Sequence, residues 1–285
     1  MSWPARVAFA TAEHEALRAA AAPWTVSAMD DLGVQRGVVR DACRRLPTLR
    51  QTLHTLEAAV RQTGAVIATG TPLDDQVLIA VASLFGRVTA DGNGPPPGQL
   101  VYNLVAGPES GYDSAALQLH TDSVFEASPA PYMVLACVRP SAEGDGLTTL
   151  ARADSVAARV GEIDQRHLEL LQDRCYPFAK IRNRVPQQFP VRTAILTVQD
   201  TDVTTVFHGR HVREGMQLRP EAVDSEHRAA LHTFEAVLDD PRSATTLLLQ
   251  TGDLLLADNR RVLHGRSAVR STGSRRHVKR LKIAD

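Results

Sequence analysis

No stretch of this chain reaches the roughly 18 unbroken apolar residues that a membrane helix needs, so no segment reads as membrane-spanning. Net charge is missing as well. Lys and Arg number 32 against 32 Asp and Glu, which leaves no global field to recruit nucleic acid or an anionic membrane. Cysteine is scarce: Cys43, Cys137 and Cys175 are scattered and odd in number, which argues for reduced thiols in a cytoplasmic protein and against a disulfide framework. No glycine-rich turn opens a helix, which speaks against a dinucleotide-binding fold. The start, "MSWPARVAFATAEHEALRAAAAPW", lacks a basic segment followed by an apolar one, so no signal peptide is expected. No internal repeat is visible.

What is present is a chain of 285 residues, 44% hydrophobic and 22% charged, able to bury a large core. It reads as one domain over residues 1–285, with a helical N-terminal elaboration over 1–63 and a strand-rich core over 64–285. "TAEHEALRAAAA" and residues 37–62 carry helical spacing, broken near Pro47. "GAVIATG" reads as a buried strand, "DDQVLIAVASLFG" as a helix, and "DGNGPPPG" as a loop. Short strands follow at regular spacing, interrupted by a helical insert at about 219–238. That order predicts a mainly β fold with flanking helices, a sandwich or barrel.

Within it, "LQLHTD" places an imidazole and a carboxylate two residues apart. In an unbroken strand Gln118, His120 and Asp122 would share one face, with Leu117, Leu119 and Thr121 on the other. "LLLADNRRVLHGR" delivers His264 at the end of an apolar run, beside small Gly265. Two histidines and one carboxylate make the facial triad of non-haem iron oxygenases, although a His-x-Asp pair also arises by chance. His14, His54, His167, His227 and His232 sit on helical patterns and read as structural. His208 and His211 read as exposed residues flanking a turn. In "RRHVKRLKI", Arg276, Val278 and Arg280 would share a face; guanidinium groups facing inward need anions. The other reading of that segment is a solvated basic edge or a nucleic-acid patch, which the balanced charge and Val278, Leu281 and Ile283 disfavour.

The ordered set His120-x-Asp122, Thr149, His264, Arg276 and Arg280 resembles the taurine dioxygenase and clavaminate synthase-like superfamily. These are Fe(II)- and 2-oxoglutarate-dependent oxygenases. The resemblance runs from about Gly64 to the C-terminus, through "GAVIATGTPL", "LFGRV" and "GDLLLADNRRVLHGR". It implies a double-stranded β-helix, or jelly roll, with iron on His120, Asp122 and His264, and with 2-oxoglutarate and dioxygen as co-substrates. Arg276 would bind the distal carboxylate of 2-oxoglutarate with help from Thr149; Thr148 and Arg275 are the rivals for those two roles. Arg280 would meet an anionic group of the substrate, and Asn103 resembles a substrate-contacting position. Gln118 is a further substrate candidate by its face. The loops at 91–98 and 106–115 are candidate lids.

The implied reaction splits 2-oxoglutarate to succinate and carbon dioxide while oxidising an unactivated carbon. Asp122 argues against halogenation, because related halogenases lack that carboxylate. The expected activity is hydroxylation of an amino acid or amino-acid-derived small molecule in specialised metabolism, free or tethered to a carrier protein. Desaturation or ring closure is the variant of the same chemistry. A Zn(II) hydrolase and a non-catalytic metal-binding jelly roll are the alternatives of another class.

Overall fold

The N-terminal helices form where Ala- and Leu-rich spacing predicts them: α1 (Thr11–Ala21), α2 (Leu32–Arg45) and α3 (Leu49–Thr63). These come from a computed structural model that describes residues 3–90, 98–105, 115–141, 143–187, 190–269 and 276–284. Both candidate lid loops fall almost wholly outside those residues, as does Arg275. Asp31 caps α2 by accepting from the Val34 N–H at 2.9 Å. Pro47 separates α2 from α3 and holds Leu46 extended, as a residue preceding proline must be. Residues 1–63 are not helical throughout: Ala5–Ala8 forms strand β1, parallel to β2 (Ala65–Thr69). Four residues without a clear alternation carry too little pattern for a strand to be read from sequence.

After β2 come α4 (Asp75–Ala82), β3 (Arg87–Thr89), β4 (Tyr102–Val105), β5 (Leu117–His120), β6 (Tyr132–Arg139) and β7 (Thr148–Arg152). Helices α5 (Ala153–Ile163) and α6 (Gln165–Leu170) follow. Three small antiparallel ribbons come next: β8 (Tyr176–Phe178) with β11 (Val191–Thr193), β9 (Ile181–Arg182) with β10 (Val185–Pro186), and β12 (Leu196–Gln199) with β13 (Asp202–Thr205). The helical insert is wider than expected, running as α7 (Gly209–Leu218) and α8 (Ser225–Asp239) with a turn at Pro220 between them. The chain closes with β14 (Thr245–Leu247), β15 (Leu254–Asp258), β16 (Val262–Arg266) and β17 (His277–Ala284).

Two sheets face each other. The larger has the order β1-β2-β15-β6-β17-β3, with β4 also along β17; the smaller has the order β14-β7-β16-β5. Alternation sorts their side chains into layers. Val66, Val134, Leu254, Leu256 and Leu281 face α1–α4. Ile67, Met133, Leu255, Leu150 and Val262 fill the space between the sheets. Leu119, Ala151 and Leu263 face α5 and α8. The arrangement is a jelly roll with helices on both outer surfaces.

The smaller sheet has one irregularity that matters for function. His264 pairs with His120 and Arg266 with Leu117, so β5 advances three residues while β16 advances two. That bulge reverses the alternation of β5. Gly265 makes the close packing there possible. A Cβ on it would lie 2.7 Å from the Leu117 carbonyl oxygen and 2.7 Å from Thr149 Oγ1. The hydroxyl can rotate aside; the carbonyl cannot. Gly265→Ala should therefore destabilise the fold by about 1–3 kcal/mol, the usual cost of overpacking. Urea unfolding measures it, and wild-type stability in that variant would mean that β5 is free to move away from β16.

Candidate metal centre and substrate pocket

His120 ends β5 and His264 lies opposite it on β16, with ring centroids 4.3 Å apart. Asp122 follows two residues later, past the end of the strand. Ligand atoms of His120, Asp122 and His264 lie within 4.8 Å of one another. The carboxylate oxygens stand 3.8 Å from His120 Nε2 and 3.9 Å from His264 Nε2. These separations are too long for hydrogen bonds and suit donors that share a central cation. His120 Nδ1 lies 2.8 Å from the Gln118 carbonyl oxygen, to which it donates, so its Nε2 lone pair faces the cluster.

Charge states match that geometry. Burial by itself would raise the Asp122 pKa, but His264, Arg280, His120 and His208 around it outweigh burial and hold it at about 2. Burial pushes His264 down to about 3, with His120 adding to the effect and Asp122 opposing it. At neutral pH the site therefore offers an ionised carboxylate and a neutral His264 imidazole, the forms that bind a cation without first losing a proton.

Asp122 is not held by strand pairing, so its position needs another cause. Asn259, fully buried in the turn between β15 and β16, supplies it. Its Oδ1 accepts the Asp122 N–H at 2.8 Å, and its Nδ2 donates to the Asp122 carbonyl at 3.2 Å and the Ala130 carbonyl at 2.8 Å. One residue back, the Thr121 N–H donates to the Phe207 carbonyl at 2.7 Å. Ser123 then takes a left-handed conformation, φ +61°, which turns the chain sharply after the carboxylate. Nothing in sequence spacing connects Asn259 to Asp122, 137 residues away.

Arg276, just before β17, and Arg280 within it both reach the interior but at different places. Arg276 is buried beside Gly146, where a Cβ would come within 2.9 Å of its Cδ, and its charge reaches Cys137 in the space between the sheets. Arg280 lies over the Tyr102 ring at 5.7 Å and lines a pocket of about 300 Å³ together with His120 and Asp122.

Three expected positions face elsewhere. Thr149 pairs with Gly265, and Thr148 with Arg266; since cross-strand partners share a face, Thr148 points to the metal-facing side and Thr149 to the outer side. The β5 bulge does the same to Gln118, which lines a separate cleft with Arg213 and Glu235, while Leu117 takes the pocket rim. Asn103 pairs with Lys279 on the outer face and accepts from His277 Nε2 at 2.7 Å; its neighbour Tyr102 is the inward residue.

His208 and His211, which from sequence read as exposed residues flanking a turn, are instead half-buried on the pocket wall at the start of α7, with the His208 ring 4.9 Å from the His120 ring and 4.3 Å from His211. Burial drives His208 down to about 2. Lys180, Glu126 and Lys282 complete the charged lining. Arg266 lies two residues after His264, so alternation alone would have placed it on the metal-facing side. It is buried, and its guanidinium donates to the Ala115 carbonyl.

The Asn259 clamp has measurable consequences. Asn259→Ala removes three hydrogen bonds worth about 1 kcal/mol each, so the metal-free protein should lose about 2–3 kcal/mol of stability. It should also bind Mn(II), used as a spectroscopic probe, at least about tenfold more weakly, as loss of a ligand's supporting bonds usually does. Electron paramagnetic resonance titration reads the second effect. Unchanged Mn(II) affinity would reduce the clamp to a purely structural contact.

Comparison with known proteins agrees with this geometry. An enduracididine beta-hydroxylase of Streptomyces hygroscopicus is 24% identical over an alignment 292 positions long, gaps included, covering 83% of this chain and 81% of the relative. Asparagine oxygenase, solved with Fe(II), 2S,3S-3-hydroxyasparagine and succinate, superposes with a TM-score of 0.74 at 19% identity, over 98% of this chain and 93% of the other. The non-heme iron oxygenase OrfP, solved with Fe, succinate and (3R,4R)-dihydroxy-L-Arg, gives 0.71 at 18% identity with the same coverage of 98% and 93%. At these identities the structural likeness speaks for the fold. Residues 40–282 match the family described as taurine catabolism dioxygenase TauD, TfdA, which covers most of the chain. This chain belongs to that family, and it is a non-haem iron dioxygenase that uses Fe(II) and 2-oxoglutarate.

Proposed function

We propose that the protein hydroxylates an unactivated carbon of an amino acid or a small molecule derived from one, with iron held by His120, Asp122 and His264. The observation that carries this reading is the convergence of those three ligand atoms within 4.8 Å, beside a pocket that His120, Asp122 and Arg280 line. Iron bound there supplies the oxygen chemistry that couples decarboxylation of 2-oxoglutarate to attack on a C–H bond. The chain's own residues bind and orient. Arg276 takes the distal carboxylate of 2-oxoglutarate, with the buried Thr148 hydroxyl on the same side of the smaller sheet. Arg280 takes the carboxylate of the substrate, and Tyr102 beneath it excludes water. The pocket volume of about 300 Å³ fits a free small molecule, and a carrier-tethered aminoacyl group would enter the same mouth.

Anaerobic addition of Fe(II) and 2-oxoglutarate should produce a weak visible absorption band, and admission of oxygen with an accepted amino acid should release succinate. Neither signal would appear in a Zn(II) hydrolase. His120→Ala and His264→Ala should each abolish turnover in a folded protein, since each deletes one of three ligands; full activity in either would reject the assignment.

The 2-oxoglutarate contacts give a sharper test. Arg276→Lys replaces a bidentate fork with a point charge and should raise the 2-oxoglutarate KM at least tenfold. Thr148→Val should raise it severalfold, whereas Thr149→Val should leave it near wild type. The opposite ranking of the two threonine variants would mean that β7 sits one residue out of the described register. Arg280→Lys should act mainly on the KM of the amino acid.

A further inference from the structure

Glu126 and Lys282 form an ion pair on the wall of the same pocket. Lys282 Nζ lies 2.9 Å from Glu126 Oε1 and 2.9 Å from Oε2, with the two side chains 22% and 27% exposed. Two connections tie this pair to the reacting centre. The turn that begins at Asp122 folds Glu126 back over the site, its N–H donating to the Ser123 carbonyl at 2.8 Å. Lys282 follows Arg280 by two residues on the inward face of β17, about 7 Å further along the strand. An amino acid whose carboxylate meets Arg280 has the pair within the same pocket, two residues along the same face.

We propose that Glu126 and Lys282 select a substrate whose side chain is neutral and both donates and accepts hydrogen bonds, a primary carboxamide above all; this rests on the amino-acid reading given above. Each member of the pair already neutralises the other. A guanidinium or ammonium entering here meets Lys282 and competes with it for Glu126. A carboxylate meets Glu126 and competes for Lys282. Either exchange breaks a half-buried ion pair and leaves one charge displaced. A carboxamide does neither, because its carbonyl accepts from Lys282 while its NH2 donates to Glu126. Of the other charged lining, Lys180 sets its ammonium against the Phe125 ring at 4.9 Å, and His211 is engaged with Glu214 at 2.9 Å. The pair is thus placed to read the end of the side chain, and it disfavours cationic side chains such as arginine's.

The test is amino-acid-stimulated succinate release by the full chain with Fe(II) and 2-oxoglutarate. L-Asparagine and L-glutamine are compared with L-aspartate, L-glutamate, L-lysine and L-arginine. The carboxamides should exceed the charged set at least tenfold in kcat/KM. Glu126→Gln releases Lys282 and should shift the ratio at least tenfold towards the acids. Lys282→Met releases Glu126 and should shift it at least tenfold towards the bases. The double exchange Glu126→Lys with Lys282→Glu restores a pair and should return the preference to the carboxamides, which guards against misreading a variant that folds poorly. A wild-type preference for a charged amino acid overturns the proposal and leaves the amino-acid reading standing, as does an unchanged ranking in both single variants. Succinate release that no amino acid stimulates overturns the amino-acid reading itself, and this proposal with it.

Discussion

The packing of β16 flush between β5 and β7 is the constraint on which the site depends. It sets His264 opposite His120, and it requires the absence of a side chain at Gly265, where the Leu117 carbonyl and the Thr149 hydroxyl close in. A strand that could not approach so closely would spread the two imidazoles. The same register decides which threonine of β7 looks inward and which cation follows His264 on the inner face. A single close strand contact therefore governs the metal ligands and their surroundings together.

Electrostatics in the site follow from burial with partial compensation. Burial suppresses protonation of His264 and His208, and the imidazoles and the Arg280 guanidinium around Asp122 hold its pKa low despite burial. The pocket is accordingly ready for a cation at one end. Glu126 and Lys282 on its wall are balanced against each other, so that pair brings strong polarity and little net charge. The carboxylate ligand itself lies beyond the end of its strand, where Asn259 replaces the missing ladder bonds with side-chain bonds of the same kind.

Much of this was legible in the letters. Helical spacing, the Pro47 break, the strand-rich second half and the pairing of His120-x-Asp122 with a late histidine all follow from local periodicity and residue chemistry, and the structure contains each. The same two-residue rule applied to His264 also marks Arg266 as inward, and it is buried. Gln118 is placed inward by counting along a strand, and such counting does not survive a bulge; Thr149 comes from the resemblance, where Thr148 one residue away is the rival and only strand pairing tells their faces apart. His208 and His211 have no periodic signature, because their burial comes from the wall of the pocket opposite them.

The sequence by itself determined a chemical inventory: two imidazoles, a carboxylate and two late arginines in a fixed order, whose resemblance to a known family implied the class of chemistry. Tertiary structure alone decided how the inventory is deployed. It turned Thr148 and Tyr102 inward and Thr149 and Asn103 outward, joined Asn259 to Asp122 across 137 residues, and set Glu126 against Lys282. The physical reason is that strand register, bulges and long-range hydrogen bonds are properties of pairs of segments, and a side chain's face is settled only when its partner strand is in place.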